Sequence, residues 1–84
     1  MKQRTLRFSR YPDNGSGAKC GQLYIIDQWG QIYDFTHEYD NVLNEWFWYI
    51  DIPGIGHWTG DSPRAIIDTL KQAYEGEVRF LKWE

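Results

Sequence analysis

The sequence predicts an α+β domain: a mainly antiparallel sheet of about five strands with one amphipathic helix packed across one face, in the order β-β-β-β-α-β. Several segments alternate apolar and polar residues with a period of two, as half-buried strands do. One segment alone has helical spacing and helix-end signals. The connections between strands are short, which favours antiparallel pairing. The chain of 84 residues suffices for a single small domain, residues 1–84.

The N-terminal part predicts one strand followed by a loop. In residues 4–11, RTLRFSRY, Leu6 and Phe8 point to one side and the residues between them point to the other. Residues 12–21, PDNGSGAKCG, are rich in Gly, Pro, Asp and Asn, which is typical of a loop.

Residues 22–36 predict a hairpin whose turn is Asp27-Gln28-Trp29-Gly30. Asp suits the first position of a type I turn, and Gly30 suits the left-handed residue that follows it. This register places Trp29 at the tip, where an exposed ring is a candidate contact. One face then carries Leu23, Ile25, Tyr33 and Phe35, and the other carries Tyr24, Ile26, Ile32 and Asp34.

The middle of the chain predicts a polar connection and then the clearest strand. Residues 37–44, HEYDNVLN, are expected to connect, and residues 45–52, EWFWYIDI, to form a strand that ends near Pro53. Gly54 and Gly56 extend that break. The strand side beneath the helix is expected to carry Trp46, Trp48, Ile50 and Ile52; the opposite side carries Glu45, Phe47, Tyr49 and Asp51.

The helix is predicted over residues 61–76. Ser62 suits the N-cap, Pro63 the first helical position and Gly76 the residue after the last turn. The spacing of its apolar residues predicts one buried stripe, formed by Ile66, Ile67, Leu70, Ala73 and Tyr74. A last strand is predicted over residues 77–83.

One helix does not cover a whole sheet, so the opposite face is expected to be open around Phe47 and Tyr49. That face also holds three apolar residues of the hairpin and is rimmed by Asp34, Glu45 and Asp51. Exposed apolar patches of this kind mark interaction surfaces. The alternatives are a homodimer through this face, or coverage of the face by the N-terminal segment.

Charge is distributed unevenly along the chain, whose net charge is −3. Residues 1–20 carry five basic residues and one acid, whereas residues 21–61 carry seven acids and no Lys or Arg. A field of one sign steers charged partners. Alternatively, the basic first strand and the acidic strands neutralise each other across the sheet.

No catalytic or cofactor motif is visible, so we expect neither enzyme activity, a cofactor nor a metal. His37-Glu38-x-Asp40 and His57-x-x-x-Asp61 do not supply the three converging ligands of a zinc site. Cys20 is the single cysteine, and it lies in a Gly-rich loop without a fixed base. The absence of an internal disulfide, a signal sequence and a long apolar run favours a cytoplasmic protein away from the membrane.

Nucleic-acid binding is the main alternative function. It would use the basic N-terminal residues Arg4, Arg7, Arg10 and Lys19, since phosphate contacts need Lys and Arg. The aromatic region is acidic, however, which favours a basic protein partner instead. The residues predicted to bind this partner are Trp29, Phe47, Tyr49, Asp51, Asp27 and Asp34.

The run 46-WFWYID-51 and the acidic α+β pattern resemble small phage-encoded inhibitors of the anti-CRISPR type, and also immunity proteins that bind a toxin. The resemblance is one of size and composition over the whole chain, and it assigns no role to an individual residue. It implies a non-enzymatic inhibitor that binds a bacterial nuclease or CRISPR effector in the host cytoplasm.

Overall fold

The computed structural model describes residues 4–12 and 21–82. These residues form seven strands and one helix, in the α+β class that the sequence predicts. The elements in chain order are β1 (Arg4–Arg10), β2 (Leu23–Asp27), β3 (Ile32–Asp34), β4 (Thr36–Asp40), β5 (Glu45–Ile52), β6 (Gly56–Gly60), α1 (Pro63–Ala73) and β7 (Val78–Lys82). Most of the predicted loop, including Lys19 and Cys20, lies outside the described residues.

The strands form two sheets rather than one. The first has the order β3-β2-β1-β7 and the second the order β4-β5-β6. Pairing among the described strands is antiparallel except between β1 and β7, which are parallel. Phe35 alone separates β3 from β4 and is buried, so the chain passes directly from one sheet into the other.

The core lies between the two sheets and the helix. It consists of Leu6, Phe8, Leu23, Ile25, Phe35, Ile50, Ile52, Ile55, Ile66, Ile67 and Leu70. Each such side chain stabilises the fold by about 1.5–3 kcal/mol when it is fully buried. The prediction that Leu6 and Phe8 share the buried side of one strand, and Leu23 and Ile25 that of the next, is confirmed.

The helix begins and ends close to the predicted signals. The Ser62 hydroxyl accepts a hydrogen bond from the Ala65 amide at 3.1 Å, and Pro63 is the first helical residue. The Tyr74 amide donates to the Leu70 carbonyl at the C-terminal end. Gly60 of β6 allows the helix to pack closely, because a Cβ atom there would lie 2.9 Å from Ile66 Cγ1.

Two strands lie where the sequence predicted connections, which corrects the expected strand number. Residues 36–40 form β4, because β5 supplies hydrogen-bonding partners along the whole polar run. After Pro53, Gly54 and Gly56 adopt φ angles of 83° and 102° and turn the chain back, so that β6 pairs with β5. Polar composition and glycines therefore concealed two short strands.

The position predicted for Trp46 is also corrected. Ile50 and Ile52 are buried as expected and Trp48 packs against the core, but Trp46 is 61% exposed. A strand of eight residues spans about 26 Å, whereas a helix of 11 residues spans about 16 Å. The shorter helix therefore cannot cover the whole length of β5, and Trp46 lies in an exposed part of it. Within the described residues, no helix is long and apolar enough to cross a membrane.

Candidate protein-interaction site

The end of the β4–β5 hairpin presents a group of exposed apolar side chains. We call it the hairpin-end cluster; it consists of Tyr39, Val42, Leu43 and Trp46. Val42 is 89% exposed and Leu43 64%. Among the described residues, the other large apolar side chains that are exposed are Trp29 and Ile32, so four of the six lie at this end.

The turn of this hairpin is held by local hydrogen bonds. Asp40 Oδ1 accepts from the Val42 amide at 2.9 Å and from the Leu43 amide at 3.2 Å. Asn44 adopts a left-handed φ of 55°, and its Oδ1 accepts from the Tyr39 hydroxyl at 3.3 Å. These contacts fix the backbone with Val42 and Leu43 at the tip.

A series of ring contacts connects the hairpin-end cluster to the core. The His37 ring stacks on Trp48 with the centroids 4.4 Å apart and an angle of 8°. The opposite neighbour of His37 is Trp46, at 4.8 Å, and Trp46 contacts Tyr39 edge-on at 5.2 Å. The Trp46 ring is therefore held in place although it is exposed, which reduces the entropy lost on binding.

The outer face of β5 and β6 brings together three of the predicted partner-binding residues. The Phe47 and Tyr49 rings are 6.1 Å apart, and the Tyr49 and His57 rings are 5.0 Å apart. His57 Nδ1 lies 2.7 Å from Asp51 Oδ1. Phe47 and Tyr49 are half-buried rather than open, and Trp46 of the predicted core side is exposed, so the predicted division into two faces is seen only at Ile50, Asp51 and Ile52.

Asp27 and Trp29, also predicted contacts, belong to the other hairpin. Asp27 is only 8% exposed and accepts hydrogen bonds from the Trp29 and Gln31 amides at 2.9 Å and from the Tyr33 hydroxyl at 3.0 Å. Burial alone raises the pKa of Asp27, but these hydrogen bonds and nearby Arg4 hold it below its ordinary value. Asp27 is thus a structural residue beneath Trp29, which is 74% exposed.

Asp34 is bound within the first sheet. Its Oδ1 accepts a hydrogen bond from the Tyr11 hydroxyl at 2.6 Å, and the Tyr11 ring lies 4.4 Å from that of Tyr24. Burial, followed by the hydrogen bond and charge of Asp34, raises the pKa of Tyr11 to about 12. The six predicted contacts therefore lie in three separate groups: one on β5, one at the β2–β3 turn and one at Asp34.

The basic residues of β1 do not share one surface. Arg4 donates to the Pro53 carbonyl and lies against Gly54, where a Cβ atom would be 2.9 Å from its Nη1. Arg4 therefore joins β1 to the turn after β5. Arg10 lies on the same side of the strand as Arg4, and exposed Arg7 lies on the other. The arginine surface proposed for nucleic-acid binding is divided accordingly, and Lys19 is outside the described residues.

The hairpin end is acidic as well as apolar. A cleft of about 410 Å³ beside it is lined by Asp40, Leu43, Glu45, Phe47, His57, Thr59, Gly60 and Asp61. Residues 21–63 contain no Lys or Arg, so no cation of this region neutralises those carboxylates. Within residues 4–12 and 21–82, no three His, Cys, Asp or Glu side chains come together as metal ligands would.

The sequence interpretation missed the hairpin-end cluster, although a signal was present. His37 and Tyr39 alternate with Glu38 and Asp40, which is a strand pattern, and Asp40 and Asn44 are turn residues. Comparison with protein-family models, curated proteins and solved structures gave no match. The function is therefore inferred from the site itself.

Proposed function

We propose that the chain is a non-enzymatic protein-binding module that docks the end of its β4–β5 hairpin on a partner. The observation that carries this proposal is the hairpin-end cluster, whose apolar side chains are exposed to solvent on a hydrogen-bonded turn. Aromatic anchors that are fixed before binding contribute strongly at interfaces. Trp46 is the principal anchor, and Phe47 extends the contact to the other side of the hairpin.

The charge around the hairpin indicates a basic partner. Glu38, Asp40 and Glu45 surround the apolar residues, and no Lys or Arg interrupts them in the sequence. Such a surface complements a partner with a basic surface, and nucleic-acid-processing enzymes have Lys and Arg where they hold phosphate. In the most specific form of this proposal, the chain inhibits a bacterial nuclease or CRISPR effector. The alternative is an immunity-type protein that binds a toxin.

The test is capture of partners from a nuclease-treated bacterial lysate, with matched aromatic variants as bait. We expect Tyr39→Ser/Trp46→Ser to abolish capture of a partner that the wild type retains. Trp29→Ser is the control, because it removes the exposed tryptophan of the other hairpin, which is 74% exposed against 61% for Trp46. Thermal unfolding of each variant separates a lost contact from a lost fold.

Other results would reassign the function. Loss of capture with Trp29→Ser alone, or with Phe47→Ser/Tyr49→Ser alone, would move the contact to the β2–β3 turn or to the outer face. A partner that is captured from untreated lysate but not after nuclease treatment would contradict the proposal and favour nucleic-acid binding. Sedimentation of the purified protein tests the homodimer, which Phe47→Ser/Tyr49→Ser would dissociate.

A further inference from the structure

A second cleft lies between the end of β1 and the start of α1, and the hairpin-end cluster takes no part in it. It has a volume of about 370 Å³, within the range of small-ligand sites. The lining residues that matter here are Arg10, Gln22, Trp48, Ser62 and Arg64. In contrast to the cleft beside the hairpin, its lining contains two arginines and no carboxylate.

Two cations of α1 lie over the buried Phe8 ring, and Arg10 of β1 lines the same cleft as the first of them, Arg64. The Arg64 guanidinium carbon lies 6.0 Å from the Phe8 ring centroid, and Lys71 Nζ lies 4.9 Å from it. Arg10 Nη1 donates to the Gly21 carbonyl at 2.5 Å, which fixes its guanidinium at the rim. Among the described residues, no carboxylate forms an ion pair with Arg10, Arg64 or Lys71. An anion could therefore pair with Arg10 or Arg64 without displacing a carboxylate of the described residues.

The remaining walls offer a planar surface and one further donor. Trp48 lines the cleft, and its stack on His37 covers one face of the ring, so a base would have to stack on the other face. Ser62 Oγ accepts from the Ala65 amide, which leaves its hydroxyl hydrogen free to donate. Pro63 has no N–H, so the arginines rather than the first helical residue must supply the anion contacts.

We propose that this cleft binds the 5′-phosphate of a nucleotide, with Arg10 and Arg64 on the phosphate and the base against Trp48. Guanidinium groups bind phosphate through paired hydrogen bonds. Bases stack on aromatic side chains. A free mononucleotide and the 5′-phosphate end of a single strand present the same chemistry. This inference does not depend on the protein-binding proposal.

The test is an NMR titration of the tryptophan indole N–H signals, with the Trp48 signal assigned from Trp48→Phe. We expect adenosine monophosphate to shift the Trp48 signal with a Kd below about 1 mM. Adenosine and inorganic phosphate should each bind more weakly. Arg10→Gln and Arg64→Gln should each weaken binding about tenfold, the loss expected for a charge-assisted contact. Arg79→Gln is the control, since Arg79 is an exposed arginine of β7 that does not line the cleft.

Two further arms separate the sources of the phosphate and test specificity. Tighter binding of a 5′-phosphorylated oligothymidylate than of adenosine monophosphate would assign the site to strand ends, and the reverse order to free nucleotides. An unshifted Trp48 signal, equal binding of adenosine, or equal weakening by Arg79→Gln would overturn the proposal. Arg64→Lys, which keeps the charge but removes the paired donors, should give an intermediate Kd in a folded protein.

Discussion

The two hairpins use the same local chemistry at their turns. In the β2–β3 hairpin, Asp27 accepts hydrogen bonds from two backbone amides of the turn. Asp40 does the same in the β4–β5 hairpin. Each hairpin also carries one exposed tryptophan, Trp29 in the first and Trp46 in the second. Local sequence signals alone would give the two turns the same role.

The surroundings of the two aspartates separate the hairpins. Asp27 is buried and also binds the Tyr33 hydroxyl near Arg4, so the β2–β3 turn is connected to the rest of the fold. Among the described residues, the Asp40 carboxylate accepts hydrogen bonds only from the amides of its own turn. Its hairpin ends in exposed Val42 and Leu43. Burial of one carboxylate thus connects the first turn to the fold, whereas the second turn is held by its own amides and stays exposed.

The largest expected effect tests this difference directly. Asp27→Ala should lower the free energy of unfolding by about 3 kcal/mol, because it leaves three donors without an acceptor in a buried site. Asp40→Ala should cost about 1 kcal/mol, since solvent reaches its two amides. Urea denaturation of both variants measures the difference. Equal losses would show that burial does not distinguish the hairpins.

The tryptophans of β5 provide the second comparison. Trp48→Ala should lower the free energy of unfolding by about 2 kcal/mol, because its ring packs against the core. Trp46→Ala should cost less than about 1 kcal/mol, because most of that ring is already in water. Chemical denaturation of both variants should be followed by circular dichroism, because the loss of a tryptophan changes the intrinsic fluorescence. A loss at Trp46 as large as at Trp48 would assign Trp46 to the core and remove the principal anchor of the proposed interface.

Lowering the pH should remove the contribution of the ionised Asp27 carboxylate to the free energy of unfolding. The pKa of Asp27 in the folded protein lies below its ordinary value of 3.8, so its contribution is fully present above that value. As the pH falls through the folded-state pKa, the contribution is lost. Asp27→Asn should therefore be less stable than the wild type at pH 7, by about 1 kcal/mol. The gap should close in strong acid, which urea denaturation at a series of pH values measures; a constant gap would contradict an ionised Asp27.

Much of the fold was predictable because it depends on periods and end signals. The spacing of Leu23 and Ile25, two residues apart, predicted one strand, and Ser62 and Pro63 predicted where the helix begins. The type I turn with left-handed Gly30 is confirmed by the 3.2 Å hydrogen bond from its amide to the Asp27 carbonyl and a φ of 89°. These features are local, so the residues themselves carry them.

The rest depended on tertiary contacts that no local pattern encodes. Polar β4 is a strand because β5 pairs with it, and Trp46 is exposed because the shorter α1 cannot cover the whole of β5. Asp27 looked like a surface acid, yet Tyr33 and the turn amides enclose it. Arg4 similarly looked like a phosphate contact but binds the Pro53 carbonyl. The candidate site therefore moved from the outer face to the hairpin end.

The smallest expected effect concerns Asp34, which binds a tyrosine hydroxyl as Asp27 does but is only half-buried. Tyr11→Phe removes this hydrogen bond and should cost less than about 1 kcal/mol at neutral pH. The pKa of Tyr11 rises from 10.0 to about 12 in the folded protein. Its contribution is therefore present below pH 10 and is lost as the pH rises through about 12. Urea denaturation between neutral pH and pH 12 should show the two proteins converging. A gap that widens instead would mean that ionised Tyr11 is stabilised at this site, which the adjacent Asp34 carboxylate opposes.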